Sequence, residues 1–192
     1  VLALIEVSKA CASTGVIMSV NNSLYCYPVY AYGTEAQKKK YLYPCAAGEC
    51  LGCYGLTEAG AGSDPAGLRT TAVKDGDEWV INGEKKFITN GNVAGYAVIA
   101  AVTEKGKGYK GISSFVVDLE NTPGFKVGRL EEKMGILASG TSELIFEDAR
   151  LPADGLLGKE GDGFRQMLST LDGGRIGIAS QAIGIGRSVL ED

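Results

Sequence analysis

Between Leu51 and about Gly158 short β-prone runs alternate with turn signals every several residues, and this stretch limits the fold more than any other part of the chain. Such spacing predicts a barrel or a sandwich. Leu68 to Lys74 carries Thr70, Thr71 and Val73, and Asp75-Gly76 turns it. Trp79-Val80-Ile81 and Lys86-Phe87-Ile88 flank Asn82-Gly83, a dipeptide that strongly favours a two-residue hairpin. Tyr96 to Thr103, Ile112 to Asp118, Phe125 to Leu130 and Ser142 to Phe146 supply four further strands, and Lys105 to Lys110 reads as an exposed loop. The whole stretch has the usual size of one domain, about a hundred residues.

Both flanks are helical in pattern. Residues 1 to about 32 place Leu4, Val7, Cys11 and Ala12 at helical spacing. Ser13, Thr14 and Gly15 weaken that helix, and Pro28 predicts a break or kink. Gly33-Thr34 gives a stop and a new N-cap, with Glu35 and Gln37 in the first turn of a helix running to about Cys45. After Pro152 and the Gly158–Gly163 segment, Phe164, Met167, Leu168 and Leu171 recur at helical spacing, and Ile176, Ala179, Ala182, Ile183 and Leu190 continue the stripe. Gly173 and Gly174 lie between and loosen the backbone. The expected class is α+β, a central antiparallel β-barrel or sandwich with helical flanks. Residues 1–50 read as the end of an N-terminal helical domain, 51–158 as the middle β domain and 159–192 as the start of a C-terminal helical domain. An apolar helix-like opening without a starting Met reads as part of something longer.

Several functional classes are disfavoured. With 19 Lys and Arg against 23 Asp and Glu, nothing implies a nucleic-acid partner. Lys38-Lys39-Lys40 reads as a solvated helix face. No apolar run approaches the ~18 residues of a membrane span, and Val1 to Val7 lacks the basic leader of a signal peptide. The 192 residues include no histidine, the commonest metal ligand and general base. Five cysteines, an odd count, suit a reducing compartment. Cys45, Cys50 and Cys53 have the C-x4-C-x2-C spacing of a plant-type iron–sulfur run, but no fourth cysteine follows Cys53. The Cys50/Cys53 spacing could suggest a redox pair, yet it lies in a strand-like run, and free cysteine is usually a small buried apolar residue. No metal site is expected.

The stretch from Tyr54 to Asp64 begins as a strand and opens into a loop with Gly60 and Gly62 and no bulky side chain. Glycines let backbone N–H groups approach a ligand closely, and Thr57 and Ser63 add hydroxyls. A flat, oxygen-rich cofactor with a phosphate tail would suit it; a plain turn would also account for it. Phe87-Ile88-Thr89-Asn90-Gly91 closes a second strand-like run. Together the two stretches resemble the acyl-CoA dehydrogenase family, which carries Thr-Glu-x-x-x-Gly-Ser-Asp followed by aromatic-Ile-Thr-Asn at about this separation. Leu171-Asp172-Gly173-Gly174-Arg175-Ile176-Gly177-Ile178-Ala179 and Cys11-Ala12-Ser13-Thr14-Gly15-Val16-Ile17-Met18 are similar to the short-chain (butyryl-CoA) members. The resemblance covers essentially the whole chain. Phe87 departs from it, since the family usually has Trp there; Phe keeps a flat apolar contact without the indole N–H.

The resemblance implies FAD-dependent conversion of a short acyl-CoA to its trans-2-enoyl-CoA, with electrons passed to an electron-transferring flavoprotein. In that reaction a carboxylate takes the α-proton while a hydride moves from Cβ to the flavin. It implies cofactor contacts from Tyr54, Leu56, Thr57, Gly62, Ser63, Phe87, Ile88 and Thr89, with Thr57 at the pyrimidine end of the ring and Thr89 beside N5. It implies substrate contacts from Ser63, Asp172 and Arg175. The last two lie three residues apart on one helical face, where a surface ion pair would also explain them. The family's base, a glutamate in a Tyr-Glu-Gly-Thr segment, is not in this sequence and is expected beyond Asp192, so the 192 residues alone are expected to be inactive. A full-length homo-oligomer, of tetramer type, is implied, in the cytoplasm if bacterial or the mitochondrial matrix if eukaryotic. The readings left open are a reductase working on the enoyl-CoA and a non-catalytic β-barrel binding or assembly module.

Overall fold

The computed structural model describes residues 1–191. The opening helical run is α1 (Leu2–Ala10) and α2 (Ala12–Ser19), and it breaks at Cys11, whose backbone is extended (φ −155°, ψ 108°), rather than at Ser13–Gly15. From α2 the chain continues through wide π-helical turns at Val20–Cys26 into α3 (Tyr27–Tyr32). Pro28 lies in the first turn of α3, where its missing N–H is tolerated, so the kink expected there takes the form of widened turns before it. Thr34 then caps α4 (Glu35–Gln37). Its Oγ1 accepts from the Gln37 N–H at 3.2 Å, and its own N–H donates to Gln37 Oε1 at 2.9 Å. Gln37 Nε2 also donates to the carbonyls of Asp154 and Leu156, which ties this helix to the sheet. The run continues through Lys38–Leu42 to α5 (Tyr43–Ala47) and stops at Gly48 with φ 81°.

Eight strands follow: β1 (Gly52–Gly55), β2 (Thr71–Asp75), β3 (Glu78–Thr89), β4 (Tyr96–Val102), β5 (Ile112–Asp118), β6 (Phe125–Leu130), β7 (Thr141–Pro152) and β8 (Leu156–Leu157). They form one sheet in the order β6-β7-β3-β2-β4-β5-β8, with β1 also on β4. Pairing is mostly antiparallel, but β1 and β2 both run parallel to β4. The long helix α6 (Gly163–Glu191) closes the described chain and passes through Gly173 and Gly174 without interruption. Gly174 is buried against Leu24, where a Cβ would come within 2.7 Å of that side chain, so close helix packing explains this glycine better than a loosened backbone does.

Asn82-Gly83 is not a hairpin turn. It lies inside β3, and the hairpin between β2 and β3 turns at Asp75–Glu78 instead. The reason is that β3 is paired on both sides, by β2 and by β7. The dipeptide serves a bulge: the β3–β7 register shifts between Ile81 and Gly83, and the extra residue falls on β7, where Asp148 has φ 50°. Asn82 clamps it, accepting from the Asp148 N–H at 2.8 Å and donating to its carboxylate at 3.0 Å. Gly83 has φ 147°, and a Cβ there would sit 2.7 Å from Thr70 Cα.

Two apolar cores result. One, with Trp79, Ile81, Ile88, Ala97, Ile99, Phe115, Leu144 and Phe146, is built from the sheet's own residues. The other, with Tyr25, Val29, Tyr41, Tyr54, Leu56, Val98 and Met167, joins the sheet to the helices. Strand alternation sends Cys53 into the first and Tyr54 into the second. No helix among the described residues is long and apolar enough to cross a membrane.

Candidate functional site

The helix-facing side of β1 leads directly into a cleft of ≈ 340 Å³. It brings together all eight residues expected at a cofactor: Tyr54, Leu56, Thr57, Gly62, Ser63, Phe87, Ile88 and Thr89. Val20 and Leu24 from the π-helical segment, and Leu168, Leu171 and Arg175 from α6, close the other side. The two motif stretches are joined by one backbone hydrogen bond, in which the Lys86 N–H donates to the Thr57 carbonyl at 2.9 Å. That bond sets the Thr57 loop beside the end of β3.

Local backbone shapes each wall. At the loop, Glu58 and Ala61 exchange both N–H···O bonds, at 3.0 and 3.1 Å, which folds residues 58–61 back on themselves. Ser63 then lies exposed at the mouth of the cleft, and a Cβ on Gly60 or Gly62 would meet nothing within 4 Å. At the end of β3 a second bulge inserts Phe87, with φ 58°, between Lys85 and Ile88. The bulge reverses the alternation, so Lys85 and Ile88 both point inward while Phe87 stands 64% exposed in the cleft wall. Asn90, buried and also in the left-handed region (φ 66°), donates through Nδ2 to the Gly52 carbonyl at 3.3 Å, which fixes the end of β3 to the start of β1. The Tyr54 hydroxyl donates to the Met167 carbonyl at 3.2 Å, and burial pushes its phenol pKa well up, so this ring is a neutral wall.

Beneath the loop lies a buried ion pair that sequence reasoning missed. Lys85 Nζ is 2.7 Å from Glu58 Oε1, with 0% and 8% of the two side chains exposed. Glu58 also accepts from the Arg69 and Thr70 N–H groups at 2.6 and 3.0 Å, and Lys85 reaches the Leu56 carbonyl at 3.4 Å. Burial pushes the Glu58 carboxyl up, but the Lys85 ammonium and the hydrogen bonds more than offset it and hold the pKa below its ordinary value. Burial draws the Lys85 ammonium down to about 8 against the pull of Glu58. Glu58 is therefore a carboxylate at neutral pH. Glu84-Lys85-Lys86 is a run of three charged residues in the sequence; only the inward side of β3 distinguishes Lys85 from its neighbours.

Asp172 and Arg175 form an i,i+3 ion pair, both about 70% exposed, which is the alternative to substrate contact that their spacing left open. Arg175 lines the cleft, whereas Asp172 borders a separate surface hollow with Asn22, Ser23 and Tyr27. Among the described residues no cluster of three or more His, Cys, Asp or Glu side chains could hold a metal.

Comparison with known proteins fits this geometry. Residues 53–149 match the family model for the acyl-CoA dehydrogenase middle domain, and residues 1–49 match that for its N-terminal domain. The chain belongs to the acyl-CoA dehydrogenase family. This is a family of flavin-dependent oxidoreductases. Over 192 residues it is 50% identical to the short-chain specific acyl-CoA dehydrogenase of Clostridium acetobutylicum, covering 100% of this chain and 50% of that protein. It superposes on butyryl-CoA dehydrogenase from Megasphaera elsdenii with a TM-score of 0.96 and 46% identity, covering 99% of this chain and 50% of the other. A chain in the structure of the electron transferring flavoprotein of Acidaminococcus fermentans matches with a TM-score of 0.97 and 50% identity, again over 99% and 50% of the two chains. The chain thus spans about half the length of the curated relatives it matches.

Proposed function

We propose that the protein carrying this chain binds FAD in the Thr57–Thr89 cleft and oxidises a short acyl-CoA to its trans-2-enoyl-CoA, passing the electrons to an electron-transferring flavoprotein. The observation that carries the reading is that Thr57 and Thr89, 32 positions apart in the sequence, line one cleft and are held there by the Lys86–Thr57 hydrogen bond. The donor set fits a flavin. Tyr54, Leu56, Phe87 and Ile88 offer flat apolar surface, the two threonine hydroxyls offer donors for the polar edge of a ring, and open space over Gly60 and Gly62 leaves room for a phosphate-bearing tail. When bound, the flavin supplies the hydride acceptor.

The chain's own residues supply binding, orientation and dryness. The Thr57 and Thr89 hydroxyls donate to the cofactor, and fixed donors in a water-poor site are effective at stabilising added charge. Phe87 and the leucines of α6 keep water from the face where a thioester would lie. Ser63 and Arg175, at the rim, are the groups of this chain able to meet the polar part of a CoA ester, with Asp172 steering the guanidinium. Glu58 is engaged by Lys85 and by the amides of Arg69 and Thr70, so it does not serve as base.

The test is turnover by the full-length protein. It should purify yellow, its flavin absorbance should bleach with butyryl-CoA, and catalytic turnover should require an electron-transferring flavoprotein or a dye in its place. Flavin that is present but not bleached by any of a series of short acyl-CoA esters would overturn the dehydrogenase reading, and absence of flavin would overturn the cofactor site.

A further inference from the structure

Cys45 and Cys50 lie at the junction of α5 and β1, outside the cleft. Helix α5 ends in a left-handed glycine: the Gly48 N–H reaches the Cys45 carbonyl at 3.3 Å and the Glu49 N–H donates to the Pro44 carbonyl at 2.9 Å. This reversal carries residue 50 back over residue 45, and the two Sγ atoms stand 3.0 Å apart, both as free thiols. Cys45 is 2% exposed, whereas Cys50 is half-buried. The third cysteine of the C-x4-C-x2-C run is excluded, since Cys53 is fully buried in the other core. The ends of the segment are already clipped by Asn21, which donates to the Cys45 carbonyl at 3.3 Å and accepts from the Gly52 N–H at 2.9 Å.

We propose that Cys45 and Cys50 form a reversible dithiol–disulfide pair, a site of oxidative modification at the start of the strand that floors the cleft. Closing the bond requires the sulfurs to approach by about 1 Å, to the ≈ 2.05 Å of a disulfide, with the backbone on either side held by Asn21. The oxidant is a low-molecular-weight organic disulfide. Cys50, the accessible thiol, attacks as its thiolate: one sulfur–sulfur bond of the small disulfide breaks, one small thiol leaves, and a mixed disulfide forms on Cys50. Cys45 then gives up its proton to solvent, its sulfur attacks Cys50 Sγ, and the second small thiol leaves. Two protein thiols and one small disulfide become one protein disulfide and two small thiols, with two electrons transferred. Cys45 is the resolving partner, because burial pushes its pKa up and keeps it from reacting first. The nearest competitor is Cys26, half-buried, whose Sγ receives only a long contact from Asn21 Nδ2 at 3.8 Å and whose pKa is raised to about 11 by burial and the neighbouring Cys50.

The experiment exposes the full-length protein to oxidised glutathione, quenches in acid, alkylates the remaining thiols under denaturing conditions and maps the peptides by mass spectrometry. The expected product is a Cys45–Cys50 bridge, lost on treatment with dithiothreitol, with Cys26 and Cys53 alkylated throughout and exposed Cys11 carrying at most a glutathione adduct and no bridge. In Cys45→Ala the glutathione adduct should persist on Cys50, and in Cys50→Ala residue 45 should stay unmodified. The wild-type map alone is decisive if either variant fails to fold. Alkylation of both Cys45 and Cys50 after oxidation, a Cys26–Cys50 bridge, or an unresolved adduct on wild-type Cys50 would each overturn the proposal.

Discussion

Replacing Lys85 by Met removes one half of the buried pair under the cofactor loop and leaves the other half stranded. Glu58, with 8% of its side chain exposed, would retain only the Arg69 and Thr70 amides as partners. Breaking a buried pair from one side costs about 3–5 kcal/mol. The two surviving amide bonds put this case near the low end, about 3 kcal/mol. For a chain of 192 residues that corresponds to a fall of roughly 6–12 °C in unfolding temperature, at about 2–4 °C per kcal/mol. The double variant Lys85→Met, Glu58→Gln should recover part of the loss, because a neutral amide can still accept from Arg69 and Thr70 without an unpaired charge. A double-mutant cycle by urea unfolding of the full-length protein, followed by far-UV circular dichroism, should therefore give a coupling of about 1–3 kcal/mol. Flavin retention should fall with stability in Lys85→Met, since Lys85 also reaches the Leu56 carbonyl beside Thr57. A drop of less than about 2 °C in Lys85→Met, or strictly additive effects in the cycle, would refute the reasoning.

Three other outcomes are expected. Thr57→Val or Thr89→Val deletes one hydroxyl at nearly constant volume and should weaken FAD binding about fivefold, the worth of a hydrogen bond of about 1 kcal/mol, with circular dichroism unchanged; a fluorescence titration checks it. Gly83→Ala should lower the unfolding temperature by several degrees, because a Cβ at φ 147° would lie 2.7 Å from Thr70 Cα; an unshifted calorimetric midpoint would refute it. The folded-state pKa of Glu58 lies below the ordinary 4.5, so its contribution to stability is full above that value and is lost as pH falls through the lower folded value. Glu58→Gln should accordingly flatten the decline in stability below pH 4.5, as read from unfolding midpoints across an acid pH series.

The elements that could be read from the sequence are those set by neighbours along the chain. Thr34 and Gln37 cap their helix as a local pattern predicts, and Ile112–Asp118 and Phe125–Leu130 fall where β-prone runs meet turn residues. The eight residues expected at a cofactor come from two short stretches whose glycine spacing and hydroxyl positions match a family pattern, and they line one cleft. What escaped was decided by partners far away in sequence. Asn-Gly favours a hairpin when two strands meet alone, but pairing with β7 along the other edge of β3 turns the same dipeptide into a bulge clamp for Asp148. Lys85 sits in a run of three charged residues, and the bulge at Phe87, together with Glu58 across the loop, buries it. Local chemistry fixes which backbone shapes are available; only long-range pairing decides which of them a given residue adopts and which side of the sheet it faces.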